Sequence, residues 1–224
     1  MQRTAVVTGG AGGIGGAIVR RLADAGHEVA ILDRSGEFAL DLADEDAVRA
    51  VAERLGRRDV LVHAAAAFDR APLDGLDLAT WRRVQAVNVE AALWLCQALT
   101  PGMCERGFGR IVFITSNTLW RPPAADFLPY VASKATLVGI ARALARPLGA
   151  HGITVNCVAP GLTRTPFTEA DLPAQAFEEV LARQALPRSL VPDDVAGVVG
   201  FLASDAAATI TGQTLCADGG SVFA

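Results

Sequence analysis

The sequence predicts an α/β fold: a doubly wound parallel sheet, carried by a single domain spanning residues 1–224. Three observations predict it. Short β-branched runs alternate from end to end with longer, alanine-rich amphipathic segments. Most of the short runs are almost continuously apolar, as strands buried on both faces must be. A glycine-rich turn joins the first run directly to the first amphipathic segment.

The strand candidates are Thr4–Thr8, Glu28–Leu32, Asp59–Ala64, Arg110–Ser116, Thr154–Ala159 and Gln213–Ala217. Helical stretches fall between them at Gly13–Ala25, Asp44–Leu55, Thr80–Arg106, Tyr130–Ala150 and Pro192–Ser204. Asp44 is a candidate N-cap, and Gly26 and Gly56 stand where helix-ending glycines belong. Only eight residues separate the second strand from Asp41-Leu42, which reads as the end of a brief third strand. A crossover helix takes roughly a dozen residues, so the connection between strands two and three is expected to lack a helix or to hold only a turn.

Composition bounds the function. The 224 residues are 51% apolar and 20% charged, the balance of a globular protein rather than a disordered or membrane-spanning one. A net charge of -4 gives no electrostatic reason to expect nucleic acid as a partner. No apolar run approaches the roughly 20 residues that span a bilayer, so no membrane partner is expected. A strand-like run begins almost at the N-terminus, where a signal peptide would show its charged and apolar regions. Cys96, Cys104, Cys157 and Cys216 lack metal-ligand spacing, which predicts buried thiols, no metal and a reducing, cytoplasmic setting.

After the first strand comes Thr8-Gly9-Gly10-Ala11-Gly12-Gly13-Ile14-Gly15, leading into a helix. Glycines at 9, 13 and 15 permit a tight turn, close approach of a pyrophosphate and close helix–strand packing. The helix start then offers free N–H groups and a positive dipole end to phosphates. Eighteen residues beyond Gly15, Asp33 ends the second strand. A carboxylate there accepts hydrogen bonds from a ribose diol and repels a 2′-phosphate, which favours NAD over NADP. The neighbouring Arg34 argues the other way, because a guanidinium tolerates a phosphate.

Tyr130 and Lys134 are the only tyrosine and the only lysine in the chain, whose other basic residues are all arginine. Their i,i+4 spacing at the start of a helical segment puts both side chains on one face. A phenol near pKa 10 is a poor base at neutral pH, and a nearby ammonium is expected to bring it into range. The pairing suits proton exchange with an alcohol or carbonyl while a nicotinamide moves hydride. The strand Arg110–Ser116 ends fourteen residues before Tyr130, where the Ser116 hydroxyl is placed to polarise a substrate oxygen. Asn88 lies inside the long helical stretch Thr80–Arg106; an asparagine there marks a solvated face or a local bend, and spacing alone gives it no role.

With these residues in view, the chain resembles the short-chain dehydrogenase/reductase family from Thr4 to Gly220. The resemblance is carried by the glycine loop, Asp41-Leu42, Asn88-Val89, Ser116, Tyr130 with Lys134, Asn156, Pro160-Gly161 and Asp218-Gly219-Gly220. It implies a Rossmann-type sheet of seven strands in the order 3-2-1-4-5-6-7. It also implies a catalytic set of Ser116, Tyr130, Lys134 and Asn88. In that set Tyr130 is the general acid/base and Ser116 orients the substrate oxygen. Lys134 binds the nicotinamide ribose and lowers the tyrosine pKa, while Asn88 holds a water that continues a proton relay. The implied cofactor-binding positions are Thr8, Gly9, Gly13, Ile14, Gly15, Asp33, Asp41, Leu42, Ala64, Tyr130, Lys134, Pro160, Gly161, Leu162 and Thr165. Asp41 is implied to accept the adenine amino group and Leu42 to lie against its ring. Leu162 and Thr165 are implied to meet the nicotinamide carboxamide.

The sequence departs from the family where Asn-Asn-Ala-Gly is usual and His63-Ala64-Ala65-Ala66 stands instead. His63 is expected to be structural rather than catalytic, and Ala66 to displace the loop slightly. A substrate loop is expected at about residues 165–190, acting as a lid. Phe167 and Phe177 on that loop, with Leu119, Trp120 and Phe127 after Ser116, suggest an apolar or aromatic secondary alcohol or ketone as substrate. Family resemblance implies a homotetramer, or a homodimer, in keeping with the broad apolar surface of Thr80–Arg106 and Tyr130–Ala150. Two other functions fit the same sequence: a dehydrogenase of a cyclic diol, differing only in the pocket, and a non-catalytic dinucleotide-binding redox sensor, which would have no use for Tyr130 and Lys134 together.

Overall fold

In the computed structural model, which describes residues 2–223, seven parallel strands form one sheet in the order β3-β2-β1-β4-β5-β6-β7. The strands are β1 (Thr4–Thr8), β2 (Glu28–Asp33), β3 (Phe38–Ala39), β4 (Val60–His63), β5 (Gly109–Ile114), β6 (Ile153–Pro160) and β7 (Thr214–Ala217). The helices are α1 (Gly13–Asp24), α2 (Glu45–Leu55), α3 (Leu78–Gln85), α4 (Ala91–Arg106), α5 (Leu128–Gly149), α6 (Pro166–Asp171), α7 (Ala174–Leu181) and α8 (Pro192–Leu202). This is the doubly wound Rossmann-type sheet that the sequence predicts.

Successive residues of each central strand enter opposite apolar layers. Val6, Leu61, Ile111 and Val155 pack with α2, α4 and α5 on one face. Val7, Val62, Val112 and Val158 pack with α1 and α8 on the other. Both faces are therefore covered, which explains why these strands read as continuous apolar runs. Register sets Thr8 beside His63, and His63 beside Phe113. The carboxyl ends of β1, β4 and β5 thus stand level at the edge where open α/β sheets bind ligands.

The connection from β2 to the parallel β3 is four residues long and contains no helix, with Gly36 at φ +110 inside it. The third strand, however, ends at Ala39 rather than at Asp41-Leu42. Asp41 turns its carboxylate back to accept from the Ala43 N–H at 2.9 Å, a local bond that takes the chain out of the ladder. The expected long helix Thr80–Arg106 is also interrupted. It is α3, a π turn over Ala86–Glu90, and α4. Asn88, wholly buried, sits in the π turn, so the local bend is realised and the solvated face is not. Strand β5 stops at Ile114, and Ser116 instead starts a 3-10 turn whose Thr118 N–H it accepts at 3.2 Å. Other element ends lie within two residues of expectation. The loop at about 165–190 carries two short helices, α6 and α7, the first begun by the Thr165 side chain accepting from the Thr168 N–H.

Candidate active site

A cleft of about 1340 Å³ opens along the carboxyl edge of the sheet. Gly9, Gly13, Ile14, Gly15, Asp33, Asp41, Leu42, Ala64, Pro160, Gly161, Leu162 and Thr165 line it, together with Ser116, Tyr130 and Lys134. The structure thus gathers onto one wall nearly every position singled out from the sequence. Of the expected catalytic and cofactor-binding positions, Thr8 and Asn88 are the two it keeps out of the cleft, both fully buried beneath it.

The glycine loop is shaped by contacts that side chains would prevent. Gly9 has φ +69, and a Cβ there would come 2.7 Å from the Ala65 Cα. A Cβ on Gly15 would overlap the Gly9 carbonyl oxygen. Helix α1 has no side-chain N-cap, and the N–H groups of Gly13, Ile14 and Gly15 find no partner among the described residues. Uncapped donors at a helix start, facing a cleft, fit a pyrophosphate. The acidic positions fit the rest of a dinucleotide. Asp33 accepts from the Ala11 N–H at 2.9 Å and from the Arg34 N–H at 2.7 Å, so it fastens the loop while lying on the cleft wall. Asp41 spends one carboxylate oxygen on Ala43 and keeps the other free of partners among the described residues.

Beneath this wall lies a chain of buried polar contacts. Thr8 Oγ1 accepts from the N–H groups of Ala64 and Ala65, each at 3.1 Å. Its own hydrogen therefore goes to His63 Nδ1 at 3.0 Å, and His63 carries its proton on Nε2, which donates to the Asn88 carbonyl at 3.2 Å. Burial, followed by the Lys134 charge, holds the His63 pKa down to about 3, so the ring is a neutral brace. This agrees with a structural role for His63. Asn88 in turn accepts from the Ala67 N–H at 2.7 Å and donates to the Ala67 carbonyl and to Ser133 Oγ at 2.9 Å. Ser133 donates to the Tyr130 carbonyl at 2.7 Å. The glycine loop, the π turn and the start of α5 are tied together through uncharged groups. Ala66 does not have a positive φ, so its backbone conformation is open to any residue.

Tyr130 and Lys134 are one turn apart on α5, and Ser116 faces them from the end of β5. Ser116 Oγ accepts from Thr118, which leaves its hydrogen for the Tyr130 oxygen, and that side-chain hydrogen bond favours the phenolate. Burial outweighs it and pushes the Tyr130 pKa up to about 12. The Lys134 ammonium donates to the Ile114 carbonyl at 2.8 Å and lies 5.6 Å from the tyrosine ring centroid. Burial also pulls the lysine down to about 8. The expectation that Lys134 brings the phenol into the neutral range is therefore not met in the protein alone. The ammonium is turned toward a backbone carbonyl, and the half-buried phenol lies on the cleft wall.

At the far end of the cleft the aromatic wall is partly as expected. Phe127 and Phe167 line it, whereas Leu119 and Trp120 do not, and Phe177 is buried under the Arg164 guanidinium. Phe68, which sequence reasoning passed over, stands at the centre, its ring 4.6 Å from that of Tyr130. Its place just beyond the carboxyl end of β4 was the available signal.

A family model described as enoyl-(acyl carrier protein) reductase matches residues 9–222. The chain belongs to the short-chain dehydrogenase/reductase family. As a member it is an oxidoreductase acting on CH–OH groups with NAD or NADP. A cis-4-hydroxycyclohexanecarboxylate dehydrogenase of Sinomonas cyclohexanicum is 39% identical, the match covering 98% of this chain and 96% of that protein. A D-xylose 1-dehydrogenase of Caulobacter vibrioides is 35% identical over 96% of this chain and 94% of its own. Among solved structures, a blue fluorescent protein from a metagenomic library in complex with NADPH superposes with a TM-score of 0.90. It is 37% identical, with 99% of this chain and 98% of that one covered. Among the described residues of this short-chain dehydrogenase/reductase, no helix is long and apolar enough to cross a membrane.

Proposed function

We propose that this dehydrogenase interconverts a cyclic secondary alcohol and its ketone, with Tyr130 as the general acid/base. The observation that carries the reading is the convergence of Ser116, Tyr130 and Lys134 on one cleft with the uncapped glycine loop. Bound there, a nicotinamide supplies the hydride acceptor. The loop N–H groups and Asp41 hold the dinucleotide, and Lys134 bonds its ribose. Ser116 orients the substrate oxygen. In the oxidising direction Tyr130 takes the hydroxyl proton, and in the reducing direction it returns one to the carbonyl oxygen. Asn88 and Ser133 fix the backbone of Tyr130 and carry no charge, which suits a brace beside a proton relay.

The aromatic wall of Phe68, Phe127 and Phe167 supports an apolar ring in the substrate. Arg121 and Arg183 also line the cleft, and their side chains have no partner among the described residues, which suits a carboxylate on that ring. The activity named for the Sinomonas relative supports the same substrate class. NAD is the proposed cofactor on the strength of Asp33, with NADP accommodated less well. A homotetramer, or homodimer, is proposed through α4 and α5, where Trp94, Val138 and Leu144 remain only half-buried. The test is a panel of cyclohexanols with and without a carboxylate, a cis-dihydrodiol and an aldose, each offered with NAD and NADP. Reduction of the nicotinamide fastest with the carboxylated ring supports the reading. Preference for the aldose contradicts the substrate class, and preference for the dihydrodiol selects the cyclic-diol alternative.

A further inference from the structure

Phe68 holds a position that the catalytic chemistry does not itself require. It lies half-buried in the loop after β4 and meets three other rings, all edge-on. The centroid of Tyr130 is 4.6 Å away, that of Phe127 5.3 Å and that of Phe167 6.0 Å. These rings come from α5, from the 3-10 turn before it, and from α6 of the substrate loop. Arg70, two residues on, fastens the same pieces. Its guanidinium lies 5.0 Å from the Phe127 ring and 5.5 Å from the Phe68 ring, and it pairs with Asp171 at the end of α6 and with Asp126. The Ala71 N–H donates to the Asp126 carbonyl at 2.9 Å.

Tyr130 needs such a fastening. It sits in the first turn of α5, which has no side-chain N-cap, and first turns are the least anchored part of a helix. Apart from its helix and Ser116, Tyr130 meets the Phe68 ring, and the Lys134 nitrogen lies 5.6 Å from its centroid.

We propose that Phe68 is a positioning residue that holds the Tyr130 ring at the reacting end of the cleft and links that hold to α6, so that seating of the substrate loop and orientation of the phenol are a single event. The proposal rests on Tyr130 being the acid/base of the proposed reaction.

Because Tyr130 is the sole tyrosine, tyrosinate absorbance in the near ultraviolet reports on it alone and needs neither cofactor nor substrate. The charged groups around it are Lys134 and, across Phe68, Arg70, and Ser116 adds a neutral hydroxyl. At pH 10 the wild-type phenol stays protonated, and Phe68→Ala, which strips apolar cover from a half-buried ring, converts a large share of it to phenolate. Phe68→Leu keeps apolar cover and titrates close to wild type. In turnover, Phe68→Ala lowers kcat about 10-fold or more with the cofactor KM unchanged, the size of effect that misplacing a reacting group produces. Phe68→Leu recovers part of that loss. Asp171→Asn releases the loop and raises the substrate KM severalfold without moving the phenol titration.

A Phe68→Ala protein that keeps its fold by circular dichroism yet titrates as wild type, or that keeps wild-type kcat, overturns the proposal. Should Phe68→Ala not fold, a wild-type kcat in Phe68→Leu overturns it equally. If the wild-type protein turns over no alcohol, the proposed function fails by itself, and the titration still decides whether Phe68 governs Tyr130.

Discussion

His63 Nε2 donates to the Asn88 carbonyl at 3.2 Å, and this bond joins the end of β4 to the π turn between α3 and α4. The tautomer follows from Thr8, whose oxygen already accepts two backbone N–H groups and so must donate to His63 Nδ1. A residue that looks like an acid/base candidate in the sequence is, in the fold, a neutral strut between the glycine loop and the backbone behind Tyr130.

Replacing that strut has a signed pH signature. The folded pKa of His63, about 3, lies below its ordinary value of 6.5, because burial disfavours the charged ring. Between those values the unfolded chain binds more protons than the folded one, so stability rises with pH and is lost as pH falls from 6.5 toward 3. The slope contributed by one such group is at most about 1.4 kcal/mol per pH unit. His63→Asn is expected to flatten the acid side of a plot of thermal midpoint against pH. His63→Leu leaves the Asn88 carbonyl without this donor and should cost roughly 1–3 kcal/mol at neutral pH, read by denaturant unfolding.

Lys134 separates stability from activity. It is buried and its pKa is drawn down to about 8, again because burial disfavours the charge. Lys134→Met removes a buried ammonium and fills the space with an apolar side chain of similar length. Unfolding measurements at pH 7 should show stability unchanged or raised, by up to about 2 kcal/mol. Turnover should fall by about 100-fold or more, as expected for a group that serves the site rather than the fold.

Asp33 tests the cofactor preference. Asp33→Ala removes the acceptor at the end of β2 and the bond that steadies the Ala11 N–H. Affinity for NAD, measured by fluorescence quenching or calorimetry, should drop by about 10-fold, the value of one to two lost hydrogen bonds. NADP affinity should fall less, or rise, as Arg34 is left beside the vacated position. Equal losses for both cofactors would count against the NAD assignment.

Much of this fold was legible in the sequence because its signals are local. The β1–α1 glycine loop, the apolar strand runs and the Tyr130–Lys134 spacing each declare themselves within a few residues. The absence of a helix between β2 and β3 followed from chain length alone. What was not legible depends on contacts across the sheet. The π turn at Asn88 exists because its amide reaches Ala67 and Ser133, which lie 21 and 45 residues away. The end of β3 was misplaced because Asp41 bonds its own neighbourhood instead of the ladder. Phe68 carries no motif; only folding brings it against Tyr130. The effect of Lys134 on the phenol was overestimated because i,i+4 spacing fixes a shared face but not where the ammonium points.

Single-turnover hydride transfer tests the role of Tyr130 as the acid/base most directly. Wild-type protein preloaded with NAD and mixed with the best alcohol of the panel should give a rapid rise in reduced-nicotinamide absorbance. Tyr130→Phe should bind NAD with unchanged affinity and show that rise slowed by about 100-fold or more. A Tyr130→Phe protein that reduces NAD at the wild-type rate would contradict that role.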